Sequence, residues 1–233
     1  MEIYAAMLDR ADQNIGRVLD KLEAQGKLDN TLIMFASDNG ACPDVRAGGG
    51  KDKSTRLEDF GKVNSYETVG QSWATVQNTP LRKWKAFSHE GGIRTPFIVY
   101  WPKEIKNTGG FSDENGHVID IMPTLVELTG ASYPEAVDSK PIPPMQGISL
   151  LPAFRGKDIV RSEPLYWEYS EGFAIRDGDM KAVRLRKAKN QEWELYDFSK
   201  DENETNDLAK EMPEKLESLK KKWKEWNESV YAR

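Results

Sequence analysis

The stretch "TLIMFASDNGACPDVR", Thr31 to Arg46, decides how the fold is read. Its first half is a short apolar run, Leu32 to Ala36, with no polar residue to mark a solvent face, which is the pattern of a strand covered on both sides. The run then delivers two oxygen-bearing side chains, Asp38 and Asn39, followed by the only cysteine in the chain, Cys42. Upstream, Ile3, Ala6, Met7, Ala11, Ile15, Val18, Leu19 and Leu22 recur at three- and four-residue steps. They predict an amphipathic helix over residues 2–25, closed by a left-handed cap at Gly26. Downstream, "TPFIVYWP" (95–102) repeats the apolar run between two prolines. "HVIDIMPTLVELTG" (117–130) predicts a helix with Pro123 near its start and Gly130 as its stop, and His117 at its opening reads as structural. Buried strands alternating with helices make an α/β sheet.

The texture changes after residue 130. Pro134, Pro141, Pro143, Pro144 and Pro152 crowd residues 131–156, which places a boundary between a part spanning 1–155 and a smaller α+β part spanning 156–233. In the second part "EPLYWEYSE", "GFAIRDGDMKAVRLR" and "EWELYDF" are short aromatic and β-branched runs. Asp177-Gly178-Asp179 supplies the strongest hairpin cue between them. Met212 to Tyr231 predicts a last helix with Leu216, Leu219, Trp223 and Trp226 on one face and the solvated Lys220-Lys221-Lys222 run on the other. The expected fold is α/β, part of a sheet sandwiched by helices, plus a small carboxyl-terminal antiparallel sheet with one helix. Residues 41–77, rich in Gly, Ser, Asp and Lys, read as a long excursion from the main sheet.

Composition narrows the function classes. A chain of 233 residues with 38% hydrophobic residues can bury a core, and its net charge of −5 lacks the basic excess that nucleic acid or an anionic membrane would call for. No apolar run approaches the roughly 20 residues of a membrane span. A single cysteine rules out an internal disulfide.

Two places carry chemistry. In open α/β sheets ligands gather beyond the carboxyl ends of strands, where the chain delivers Asp38 and Asn39. A carboxylate and an amide oxygen are hard donors that suit Ca²⁺ or Mg²⁺, although an Asp-Asn-Gly turn that merely caps the strand has the same sequence. The second place is "NTPLRKWKAFSHEGGIRTPFIVYWP", Asn78 to Pro102, where Arg82, Lys83, Lys85, His89 and Arg94 gather before the second strand. Cations there can hold a sulfate or phosphate, and each taken singly also fits a solvated loop. His89 fits either a structural hydrogen bond or an acid/base role.

"YAAMLDRADQNIGRVLDKLEAQGKLDNTLIMFASDNG", "NTPLRKWKAFSHEGGIRTPFIVYWP", "HVIDIMPTLVELTG" and "WELYDFSKDENETNDLA" resemble, in this order, the carboxyl-terminal half of the formylglycine-dependent sulfatases of the alkaline-phosphatase superfamily. The resemblance implies an alkaline-phosphatase-like sheet and hydrolysis of an aryl or carbohydrate sulfate. It implies Asp38 and Asn39 as late ligands of a divalent ion, Ca²⁺ ahead of Mg²⁺. It also implies Lys85 as the catalytic lysine that binds sulfate, with Arg82 and His89 as substrate contacts and Tyr169 near the substrate.

The departures define what this chain lacks. The family's nucleophile is a formylglycine made from cysteine in a Cys-x-Pro-x-Arg signature that follows an early Asp-Asp pair, and neither is present. Cys42-Pro43-Asp44-Val45-Arg46 puts its proline one residue after the cysteine instead of two, and we reject it as the nucleophile. The expected partners are a sulfated small molecule or carbohydrate and an amino-terminal half of the same enzyme, without which the chain is expected to be inactive. The resemblance also implies a periplasmic or secreted location. Two alternatives stay open at this stage: a phosphoryl-transfer enzyme of the same superfamily, and a non-catalytic sulfatase-like interaction module.

Overall fold

The computed structural model describes residues 1–45, 56–63, 65, 68–106, 109–170, 172–185 and 192–231. In chain order the elements are α1 (Glu2–Ala24), β1 (Ile33–Ala36), α2 (Gly70–Asn78), α3 (Glu90–Ile93), β2 (Phe97–Tyr100) and α4 (Ile121–Thr129). They continue with β3 (Ala136–Val137), β4 (Lys140–Pro141), α5 (Leu151–Phe154), β5 (Leu165–Tyr169), β6 (Gly172–Asp177), β7 (Met180–Leu185), β8 (Trp193–Asp197) and α6 (Pro213–Tyr231). The mixed α/β fold with a small carboxyl-terminal antiparallel sheet and one helix is the one expected. No described helix is long and apolar enough to cross a membrane.

The caps act where the sequence placed them. Gly26 takes φ +66°, and the backbone N–H groups of Gly26 and Lys27 return to the Glu23 and Leu22 carbonyls at 2.8 and 2.9 Å. Gly130 closes α4 in the same left-handed conformation.

Two expectations need correction. β1 and β2 form a two-stranded sheet, yet Phe35 is 50% and Ile98 59% exposed, so neither strand is covered on both faces. The apolar stripe of α1 is likewise open, with Met7 66% exposed and none of its residues buried. A continuous apolar run states what a strand is suited to pack against; here the described residues supply one neighbouring strand and no layer above Phe35 or Ile98. The second correction is α2, all but the last residue of which lies inside the stretch read as loop. Within that stretch, residues 46–55, 64, 66 and 67, with Arg46 of the rejected cysteine signature, lie outside the described residues.

The chain divides into two compact units interleaved in sequence, one formed by Met1–Arg17, Ala36–Phe97 and Glu163–Arg233, the other by Val18–Phe35 and Ile98–Ser162. Residues 36–97 thus group with the carboxyl-terminal sheet, a different division from 1–155 and 156–233.

The second unit is organised by Asp120, which is fully buried. Its carboxylate accepts from the His117 and Ile148 backbone N–H groups at 2.7 and 2.9 Å and from both terminal nitrogens of Arg161 at 3.2 and 2.5 Å. His117 Nδ1 accepts from the Ile119 N–H at 3.3 Å, so the histidine caps the turn leading into α4, the structural role expected of it. Burial pushes the His117 imidazole below its ordinary value, with the Arg161 charge adding to this and Asp120 opposing it. Between the lowered folded value and the unfolded value of about 6.5, the unfolded state binds more protons, so stability rises with pH across that window. The contribution is complete above the unfolded value and lost as pH falls through the folded one. The melting temperature is therefore expected to drop on acidification from about pH 7 to about pH 5, and His117→Asn, which keeps an acceptor at the cap but does not titrate, should flatten the slope. Equal slopes in the two proteins would remove this role for His117.

In the first unit β5, β6, β7 and β8 form an antiparallel meander in sequence order, with Gly178 and Asp179 joining β6 to β7 at the expected hairpin. Alternation gives the sheet two different faces. On one, Ile175, Ala182 and Leu195 pack against Leu216 and Leu219 of α6, while Trp226 stacks on Tyr166 at 4.8 Å. On the other, Ala174, Val183, Tyr196 and Phe198 form a smaller apolar cluster shared with the charged Lys181 and Glu194.

Candidate active site

Asp38 and Asn39 leave β1 into a turn that is stitched to the segment carrying Lys85. The Gly40 N–H donates to the Gly92 carbonyl at 3.0 Å, and the Lys85 N–H donates to the Ala41 carbonyl at 3.0 Å. Asn78, at the end of α2, ties both sides: its Oδ1 accepts from the Ala41 N–H at 3.1 Å, and its Nδ2 donates to the Lys83 and Gly91 carbonyls at 2.9 and 2.7 Å. Two glycines make this approach feasible. A Cβ on Gly40 would lie 1.7 Å from the Gly91 carbonyl oxygen, and one on Gly91 would lie 2.2 Å from that of Lys83.

The structure thus brings the expected metal pair and the expected sulfate lysine into one backbone mesh. Asp38 and Lys85 are exposed and Asn39 is half-buried; among the described residues none of the three side chains makes a hydrogen bond or ion pair. Cys42, partly buried, is a free thiol just beyond the turn. Tyr169 is exposed at the end of β5.

Arg82 and His89 are placed differently. Arg82 donates from one terminal nitrogen to Glu194 Oε2 at 3.2 Å, Tyr196 Oη at 2.5 Å and the Glu204 carbonyl at 2.7 Å. His89 is fully buried, with Nε2 at 3.1 Å from the same Glu194 oxygen. Tyr196 Oη donates to that oxygen at 2.5 Å. Burial alone would raise the Glu194 carboxyl, but hydrogen bonds from His89 and Tyr196 and the charges of His89 and Arg82 hold it down to about 2. Burial and the neighbouring Glu194 push the Tyr196 phenol up, which keeps it a neutral donor. Both side chains read as substrate contacts therefore have protein partners of their own.

Next to them is a second buried network that the sequence did not announce. Lys181 Nζ lies 2.6 Å from Glu90 Oε1 and 2.7 Å from Glu204 Oε1, and the other Glu204 oxygen accepts from the Glu90 N–H at 3.0 Å. All three residues are buried, and the ammonium also lies 5.5 Å from the Phe198 ring centre. Asn78, Lys181, Glu194 and Glu204 are the residues sequence reasoning missed. Only a polar side chain inside a strand hints at the middle two, and a strand with one solvated face has the same pattern.

The donor chemistry at the turn fits a hard divalent cation. Asp38 and Asn39 supply two of the roughly six to eight oxygens that Ca²⁺ takes. Among the described residues no group of three or more His, Cys, Asp or Glu side chains could complete a site.

The Sulfatase family profile matches residues 1–131, more than half of the chain. The chain belongs to the sulfatase family. The profile of the N-sulphoglucosamine sulphohydrolase carboxyl-terminal region overlaps it, over residues 83–229. An uncharacterized sulfatase of Schizosaccharomyces pombe is 38% identical over 235 residues, covering 96% of this sulfatase chain and 42% of its own length. The crystal structure of Ps i-CgsB superposes with a TM-score of 0.71 at 26% identity, covering 96% of this chain and 42% of that one. BT4656, solved in complex with its substrate D-glucosamine-2-N,6-O-disulfate, gives a TM-score of 0.62 at 25% identity over 98% of this chain and 40% of its own. This sulfatase chain spans about two fifths of the length of the relatives it matches.

Proposed function

We propose that this chain supplies the late metal ligands and one sulfate-binding lysine of a sulfuric ester hydrolase acting on an aryl or carbohydrate sulfate. One observation carries the reading: among the described residues the Asp38, Asn39 and Lys85 side chains on one hydrogen-bonded mesh have no hydrogen-bond or ion-pair partner, while Arg82, His89 and Glu90 beside them are paired. BT4656, which takes a sulfated glucosamine, supports a carbohydrate sulfate as the substrate class.

Hydrolysis of a sulfate ester breaks the S–O bond, and negative charge builds on the leaving oxygen. The Lys85 ammonium would bind the sulfate oxygens and balance that charge. Asp38 and Asn39 would hold a Ca²⁺, which when bound supplies Lewis-acid polarisation of a sulfate oxygen. The nucleophile, a formylglycine by family resemblance, belongs to an amino-terminal half acting as partner. Exposed Met7, Phe35 and Ile98 offer apolar surface to such a partner. A periplasmic or secreted location belongs to the same reading.

Two results follow. The isolated chain should give no turnover of an aryl sulfate, and full turnover would return Cys42 to consideration. In a calorimetric calcium titration, Asp38→Ala should weaken binding by at least the about tenfold that loss of a mere supporting partner costs a metal site. Equal affinity in both proteins would remove the metal role of Asp38.

A further inference from the structure

We propose that Glu194, on the carboxyl-terminal sheet, is a positioning residue for Lys85: it clamps both ends of the loop that carries the lysine. The identity of what Lys85 binds rests on the function proposed above; the clamp does not.

Both ends of the loop bond one atom. Arg82 and His89, which bracket Lys85, reach the same Glu194 oxygen at 3.2 and 3.1 Å, so one carboxylate on β8 adds a side-chain tie to the backbone tie between the ends, the Gly91 N–H to the Arg82 carbonyl at 2.8 Å. The path between them is not self-sustaining. Lys83 at φ +65° and Ala86 at φ +80° occupy the left-handed region that side chains other than glycine rarely adopt, and they flank Lys85. Such conformations persist where the surroundings over-determine them. The result of holding that path is the bond from the Lys85 N–H to the Ala41 carbonyl, which sets the lysine in register with the Asp38-Asn39 turn.

Among the described residues Glu194 is also the sole hydrogen-bond partner of the buried His89 ring, whose Nδ1 has none. Loss of the carboxylate would leave that ring without a partner among the described residues and deprive Arg82 of the one charged acceptor it has among them. The Lys181 network, bonded to Glu90 and Glu204, does not use Glu194 and would continue to hold the far end of the loop to the sheet. A change at Glu194 should therefore loosen the loop without melting the sheet.

Amide hydrogen exchange on the full chain, read by NMR, tests this in Glu194→Gln. The Lys85 and Gly91 amides should exchange about tenfold faster than in the parent, while those of Ile175, Ala182 and Leu195 stay unchanged. Glu194→Asp, which keeps the charge, should recover part of the protection. An unchanged Lys85 amide, or an equal increase across the sheet, would overturn the proposal. If Glu194→Gln does not fold, Arg82→Lys, which keeps a charge but cannot reach all three acceptors, decides it by the same comparison. A parallel titration with inorganic sulfate separates the two readings. Absence of a shift at Lys85 in the parent chain would count against the sulfate-binding role alone, and the exchange pattern would still decide the clamp.

Discussion

Lys181→Ala is expected to destabilise the protein by about 3–5 kcal/mol, because it strands two buried carboxylates that share one ammonium. Glu90 and Glu204 are 2.6 and 2.7 Å from Lys181 Nζ, and the Lys181 and Glu204 side chains are inaccessible to solvent. A domain has in total only about 5–15 kcal/mol to lose, so much of the variant should be unfolded at ordinary temperature. Lys181→Met combined with Glu90→Gln and Glu204→Gln, which removes all three charges at similar volume, should cost far less, since exchanging a buried ion network for neutral groups is often close to neutral. Urea unfolding followed by tryptophan fluorescence measures both. A single substitution that costs less than about 1 kcal/mol would mean that water reaches the carboxylates and that the network is not the clamp its geometry describes.

Gly40→Ala should abolish the alignment of the candidate site while every functional side chain remains. The new methyl would meet the Gly91 carbonyl oxygen at 1.7 Å and its carbon at 2.8 Å, both backbone atoms that cannot turn aside. The turn and the loop must part, with loss of the Gly40–Gly92 and Lys85–Ala41 hydrogen bonds. The expected cost is about 1–3 kcal/mol in stability. Calcium and sulfate binding should fall to the levels of Asp38→Ala and Lys85→Ala. Gly16→Ala is the control with the opposite sign. Its Cβ meets nothing within 4 Å in the middle of α1, so the helix should gain about 0.5–1 kcal/mol. Retention of calcium binding in Gly40→Ala would show that the mesh does not align the site.

Much of the architecture was legible because its causes are local. The three- and four-residue spacing made α1, Gly26 and Gly130 ended helices by adopting positive φ, and Gly178 turned the β6–β7 hairpin. The helix α2 escaped notice because it is short, begins at a glycine and lies between polar stretches. Lys181 escaped because a lysine in a strand reads as a solvent-facing residue, and the strand itself gives no sign that carboxylates from residues 90 and 204 converge on it.

The candidate site divides along the same line. The sequence by itself determined the chemical stock: a strand that ends in two hard oxygen donors, a cation-rich loop before a second strand, and family motifs in order. Those follow from residue type and near-neighbour pattern. Only the tertiary structure decided which of these side chains are committed to partners. Arg82 and His89 are tied to Glu194 more than one hundred positions away, whereas the Lys85 side chain between them has no partner among the described residues. The physical reason is that ion pairing and hydrogen bonding depend on separations of about 3 Å between atoms, set by how distant segments pack, and no local periodicity encodes those distances.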